Sequence, residues 1–313
     1  MSEIGGAMYK VLYIAGDGRS GSTLLNIALG NHDQVLAMGE LCNVHRFVLG
    51  QENWCSCGLP VSDCDFWQSV EQRLLCRNST GTSGLQQRFE SNRAALLWPW
   101  WHYRRQAESF EYRSRLREVL KAVADVSRAS LIVDASKLPG RAMALSLMPD
   151  VEFYLVHLVR DARALVWSRS KSWKQNLSQG IEADVPARST SLVCANWCKA
   201  NLLTTWVRRR ISKHRSIRLR YEDFATNPVD SLRRIGQLVQ LDFTAVAERL
   251  QAGVPLEKGH TGSGNRMRMQ EVKLEPDFGW TQNIPQRTEA ITWALTGQIM
   301  RRYGYQRAVG VAG

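Results

Sequence analysis

Residues 11–25 read Val11-Leu12-Tyr13-Ile14-Ala15-Gly16-Asp17-Gly18-Arg19-Ser20-Gly21-Ser22-Thr23-Leu24-Leu25. The apolar run up to Ala15 has the pattern of a buried strand. Gly16 to Gly21 interrupts it, and an apolar-periodic helix follows from Gly21 onward. A strand that breaks through a glycine loop into a helix N-terminus holds a phosphate-like anion. Unpaired backbone N–H groups and the positive end of the helix dipole both face into such a loop.

Gly16 and Gly21 have the spacing of the phosphate loop G-x-x-x-x-G-K-[ST], but Ser22 stands where that pattern has lysine. Arg19 is the only cation in the loop. The expected ligand is therefore phosphate-like without being the γ-phosphate of ATP.

With 313 residues, 44% hydrophobic and 22% charged, the chain is long enough for one large α/β domain or for two. Its formal net charge of +12 implies an anionic partner. No apolar run approaches the roughly 20 residues of a membrane span, and residues 1–10 lack the features of a signal peptide. A cytoplasmic location is expected, unless the chain is a trimmed piece of a membrane-tethered enzyme; peripheral membrane contact stays open. Seven cysteines, an odd number, suit a reducing compartment. Three of them, Cys55, Cys57 and Cys64, lie within ten residues. They admit a zinc site with a fourth ligand such as His45, or one disulfide and a spare thiol. The spacing C-x-C-x6-C matches no standard zinc motif, so no metal is assigned and the thiols are read as packed or redox-labile.

Strands are expected at 10–15, 130–134, 151–159 and 216–221, each followed by a helical pattern (138–147, 162–170, 190–210, 228–239), with a last helix at 286–303. This is the rhythm of a parallel sheet with crossover helices. Asn227-Pro228 is a helix start, with Asn as cap and Pro in the first turn. Residues 45–128 interrupt the rhythm with the cysteine cluster, a Gly/Ser/Thr loop at 78–84 and the Trp-rich stretch 98–105. They read as a helical insertion over the carboxyl edge of the sheet, near an acceptor site. The expected architecture is one α/β domain over 1–313, a central parallel sheet flanked by helices plus this insertion.

The third expected strand ends in Val159-Arg160-Asp161-Ala162-Arg163-Ala164-Leu165-Val166-Trp167-Ser168. Arg160 emerges at the strand end and Ser168 lies two helical turns further on, which offers a second anion site. Two anion sites on one sheet edge suit a ligand phosphorylated at both ends.

These motifs resemble those of the sulfotransferases that use 3′-phosphoadenosine 5′-phosphosulfate (PAPS). R-S-G-S-T-L-L is similar to their 5′-phosphosulfate loop and V-R-D-A-R-A-L-V-W-S to their 3′-phosphate motif. Leu219 to Phe224 with Asn227-Pro228, Gly264 to Arg268, Trp280, Ile284-Pro285 and Gly304-Tyr305 resemble later segments of the family, and the C-S-C-G cluster resembles some bacterial members. The loop arginine is closer to the tyrosylprotein and carbohydrate branches than to the cytosolic arylsulfotransferases. By that resemblance Glu40, which follows Arg19 by 21 residues, is the base, and Lys137 with Arg19 serves the leaving group. The resemblance implies that Arg19, Ser20, Gly21, Ser22, Thr23, Arg160, Ser168 and Tyr221 bind the donor. Gly279 stands where the tyrosylprotein type has a cofactor-binding lysine, and Arg268 or Lys273 is expected to substitute.

The implied reaction is sulfuryl transfer from PAPS to an acceptor hydroxyl on a glycan, lipid, small molecule or tyrosine, with adenosine 3′,5′-bisphosphate as product. No metal is required, because a sulfuryl group carries less charge than a terminal phosphate. No nucleic-acid partner is expected. The alternatives are a phosphate-loop kinase and a non-enzymatic binder of nucleotides or polyanions.

Overall fold

β1 (Tyr9–Ala15) is the middle strand of a parallel sheet whose order is β2 (Val35–Ala37), β3 (Leu131–Lys137), β1, β4 (Val151–Val159), β5 (Ser216–Arg220). The computed structural model describes residues 9–48, 53–75, 83–97 and 107–307. The helices are α1 (Ser22–Leu29), α2 (Val44–Val48), α3 (Asp65–Leu75), α4 (Ser83–Glu90), α5 (Asn92–Leu97), α6 (Ala107–Ser127) and α7 (Pro139–Ser146). They continue as α8 (Ala162–Arg169), α9 (Thr190–Arg208), α10 (Tyr221–Thr226), α11 (Pro228–Val239), α12 (Thr244–Gln251), α13 (Trp280–Asn283) and α14 (Gln286–Arg302). None of the described helices is long and apolar enough to cross a membrane.

β1 and β4 are largely apolar because both faces of the sheet are covered there. From β1, Val11, Tyr13 and Ala15 enter one core with α2 to α7, while Leu12 and Ile14 enter another with α1, α10, α11 and α12. The strands and helices expected from the sequence are present; the strand expected at 130–134 runs on to Lys137, and two further differences appear. β2 was not foreseen, since three residues carry no periodicity. The strand expected to reach Tyr221 ends at Arg220, and Tyr221 opens α10.

The described part of the 45–128 segment is helical, as expected, and packs on one face of the sheet against residues of β1, β3 and β4. The cause is the stripe Tyr112, Leu116, Val119, Leu120 and Val123 along α6, apolar at three- and four-residue intervals. A buried charge network joins this layer to the sheet. Arg141 of α7 meets Asp134 of β3 at 2.8 Å and Glu90 of α4 at 2.5 Å, and Tyr112 donates to Glu90 at 2.6 Å. Every member is paired, which a buried charge requires. The Trp-rich stretch 98–105 and most of the loop at 78–84 lie outside the described residues.

The order of the strands fixes the location of the site. From β1 the chain returns toward β2 on one side, and from β4 toward β5 on the other. The crevice at the carboxyl ends of β1 and β4 is therefore a topological switch point, where open α/β sheets take ligands.

Candidate active site

The loop after β1 is held by close packing that tolerates only glycine at two points. A Cβ on Gly16 would lie 2.2 Å from the Leu158 carbonyl oxygen, and one on Gly21 would lie 2.3 Å from the ring of Tyr221. Both glycines have positive φ, and so does Arg19 at 72°, a costly conformation for a side-chain-bearing residue. The turn aims Arg19 across to α8, where its Nε donates to Ser168 Oγ at 3.0 Å. The N-terminus of α1 carries no side-chain cap, leaving its first N–H groups available to an anion.

The loop after β4 supplies the second cation. Arg160 donates to the backbone oxygen of Arg19 at 3.1 Å and lies over the Tyr221 ring at 4.2 Å. Its other nitrogen meets the Asp277 carboxylate at 2.9 Å, and the Asp277 N–H donates to the Tyr221 hydroxyl at 3.3 Å. Burial and the neighbouring guanidinium groups of Arg160, Arg266 and Arg169 hold the Arg19 pKa below its ordinary value. Such a crowd of cations favours an anion among them. Two buried polar atoms in the same place, Ser20 Oγ and Arg160 Nε, have no hydrogen-bond partner, although buried polar groups are nearly always paired.

Glu40 arrives from the other side. Gly39 donates its N–H to Asn26 Oδ1 of α1 at 3.1 Å, and Glu40 donates its own to the Ser263 oxygen at 3.3 Å. Lys137, at the end of β3 with φ of 69°, reaches Glu40 Oε1 at 2.6 Å. Glu40, Arg19 and Ser168 line one cavity of about 630 Å³, together with Arg46, Trp173, Glu182, Arg188 and Arg266. Thr23 lies near the same point: a Cβ on Gly264 would be 4.0 Å from Thr23 Oγ1 and 3.9 Å from Glu40 Oε1. A carboxylate facing a cavity beside a cluster of cations and free N–H groups can take a proton while developing negative charge is stabilised nearby.

The structure thus brings together Arg19, Ser20, Gly21, Ser22, Thr23, Glu40, Lys137, Arg160, Ser168 and Tyr221. It does not bring Arg268 or Lys273 to them. Arg268 is fully buried, and its guanidinium donates to the Gly180, Trp54 and Gly262 carbonyls and the Asn53 side chain, facing Glu182 at 3.6 Å. It fastens segments of the protein to each other. Lys273 is half exposed and pairs with Glu271 at 3.2 Å. Arg266 is the cation of that segment on the cavity wall; its guanidinium lies 3.7 Å from the centre of the Trp173 ring.

Two features of the site were missed. Asp277 was not foreseen as the partner of Arg160. An arm after α8 also forms a wall of the cavity, closed by the antiparallel bridges Trp173–Val185 and Asn176–Ile181. Glu182 docks the arm by accepting from Ser263 Oγ at 3.3 Å and from the Gly264 N–H at 3.1 Å. Its signal was in the sequence: Asn176 caps a tight turn that ends at Gly180, with φ of 74°.

The cysteine cluster also gains a partner. His260 joins Cys55, Cys57 and Cys64, and the four ligand atoms all lie within 4.8 Å of one another. His45, the fourth ligand considered from the sequence, is not in this group.

Comparison with known proteins gives one family. A sulfotransferase family matches residues 12–245. Among solved structures, the sulfotransferase domain from the Synechococcus PCC 7002 olefin synthase is similar at 18% identity and a TM-score of 0.50, with 98% of each chain covered. The sulfotransferase domain from the curacin biosynthetic pathway is similar at 15% identity and a TM-score of 0.50, with 94% of this chain and 99% of that one covered. Sulfotransferase STF9 from Mycobacterium avium has 14% identity and a TM-score of 0.45, with 96% and 78% covered. No curated protein sequence matches the chain.

Proposed function

Given that the chain belongs to the sulfotransferase family, we propose that it moves a sulfuryl group from PAPS to an acceptor hydroxyl and releases adenosine 3′,5′-bisphosphate. The observation that carries this reading is the meeting of two strand-end arginines at the switch point. Arg160 is bonded to the backbone of Arg19 at 3.1 Å, and Ser20 Oγ and Arg160 Nε stand unpartnered beside them. The residues fit a ligand with an anion at each end. Arg19, Ser20, Gly21, Ser22 and Thr23 hold the 5′-phosphosulfate against the N-terminus of α1. Arg160, Ser168 and Tyr221 hold the 3′-phosphate, which replaces the Asp277 carboxylate on Arg160. Arg266 takes the covering role first given to Arg268 and Lys273.

Transfer of a sulfuryl group, like phosphoryl transfer, passes through a loose in-line transition state and asks the protein mainly for position and charge. Glu40 accepts the proton of the acceptor hydroxyl, worth roughly 10² to 10⁴ in rate. Lys137 fixes the Glu40 carboxylate and, with Arg19, neutralises the departing phosphate, at about 3 kcal/mol for a well-placed donor. The acceptor enters by the cavity wall formed by Trp173, Val185 and Pro186, apolar surfaces that suit the body of a molecule presenting its hydroxyl to Glu40.

Glu40→Gln tests the division of labour. Its kcat should fall by roughly 10² to 10⁴, while its affinity for adenosine 3′,5′-bisphosphate, read by calorimetry, stays at the wild-type value. Loss of that affinity with turnover retained would reverse the assignment.

A further inference from the structure

We propose that Cys55, Cys57, Cys64 and His260 form a closed, tetrahedral zinc site that fastens the loop behind Glu40 to the helical insertion. The first support is the geometry of the donors. Cys55 and Cys64 Sγ are 3.7 Å apart, Cys57 and Cys64 Sγ 3.8 Å, and His260 Nδ1 lies 3.3 Å from Cys64 Sγ and 3.8 Å from Cys55 Sγ. Zinc bound tetrahedrally by sulfur at about 2.3 Å and nitrogen at about 2.0 Å spaces its ligands at roughly 3.8 Å for two sulfurs and 3.6 Å for sulfur and nitrogen. A disulfide would instead require sulfurs about 2.05 Å apart. Here the three thiols converge on a point and none is paired off.

The surrounding chain supports the donors. Cys55 to Gly58 makes a tight turn, with the Gly58 N–H donating to the Cys55 oxygen at 3.0 Å and Gly58 at φ of 98°. The ring of Phe66 stacks on His260 at 5.2 Å and fixes its plane. Cys57 is exposed while Cys55 and Cys64 are buried, which gives an ion a path into the site.

Four protein ligands leave no open position, so the ion is structural. None of the four lines the cavity around Glu40. Its effect on the site passes through the chain. Ser56 and Thr261 exchange hydrogen bonds at 3.0 and 2.7 Å. Two residues on, Ser263 accepts the Glu40 N–H and holds Asn43 at 2.9 Å. Sequence spacing hid the site because its fourth ligand is 196 residues from Cys64.

The experiment is elemental analysis of the reduced full-length chain, prepared without a metal-affinity step, together with cobalt substitution. About one zinc per chain is expected. The cobalt form should absorb strongly in the visible, as a tetrahedral thiolate site does, and Cys57→Ser, a change at the exposed ligand, should weaken that band. If the wild type retains less than about 0.1 zinc per chain after zinc loading and gel filtration, the proposal fails. A Cys57–Cys64 disulfide found by mass spectrometry in unreduced native protein would overturn it as well. Neither readout depends on sulfuryl transfer, so the zinc site and the proposed activity stand or fall separately.

Discussion

Arg160 joins the two halves of the crevice: its guanidinium is bonded to the loop after β1, stacked on Tyr221 and paired with Asp277. A side chain fixed on so many sides holds its planar guanidinium ready to bind an anion through two parallel hydrogen bonds. Arg160→Ala is therefore expected to weaken adenosine 3′,5′-bisphosphate by at least tenfold, about 1.4 kcal/mol, and adenosine 5′-phosphate far less. Equal weakening of both nucleotides in calorimetric titrations would contradict a role at the 3′-phosphate. Arg19 and Arg160 were singled out in the sequence because each sits just beyond an expected strand end, where the pattern of the chain is local; Glu40 was singled out only by resemblance, through its spacing of 21 residues from Arg19. The place of Arg268 was not legible, since nothing in its neighbours tells a buried cross-link to carbonyl oxygens from a ligand-facing cation. Asp277 was hidden for the same reason, 117 residues from the arginine it meets.

Between elements, the pairing of β4 with α9 carries a pH dependence. His157 of β4 is fully buried, and its Nε2 meets Asn201 Oδ1 of α9 at 3.0 Å. Asn201 Nδ2 donates to the Trp197 oxygen, so its oxygen accepts and the imidazole is neutral with its proton on Nε2. Protonation would place an N–H on Nδ1, which has no partner. Burial, with Arg218 and Arg208 nearby, lowers the His157 pKa to about 3. The unfolded chain takes up this proton below about pH 6.5 and the folded chain does not. The contribution to stability is complete above that pH and is lost as the pH falls toward 3, at up to about 1.4 kcal/mol per unit. Urea midpoints measured between pH 7 and 4.5 should decline less steeply for His157→Gln than for the wild type; parallel declines would contradict this account. Elements of this kind, long and buried on both faces, were legible from their apolar runs. β2 was not, because a three-residue strand leaves no period to read, and the arm at 173–185 left only the signal of its Asn176–Gly180 turn.

Across the whole molecule, the strand order decides what the charge is for. The net charge of +12 implied an anionic partner without placing it. The switch point between β1 and β4 collects Arg19, Arg160, Arg169 and Arg266 around a loop with unpartnered donors. The parallel sheet was legible in the sequence because strand and helix patterns alternate locally. The insertion's place over one face and the joining of His260 to the cysteines depend on contacts across the fold, which no local pattern records. The central claim is that this crevice holds a sulfated nucleotide and passes its sulfuryl group on. The most direct test is transfer of radiosulfur from labelled PAPS to acceptors in a metabolite extract, comparing wild type with Arg19→Gly, which keeps the left-handed turn. The wild type should label an acceptor and the variant should do so at least about 100-fold more slowly; equal labelling by the two, or none by the wild type, would contradict the account.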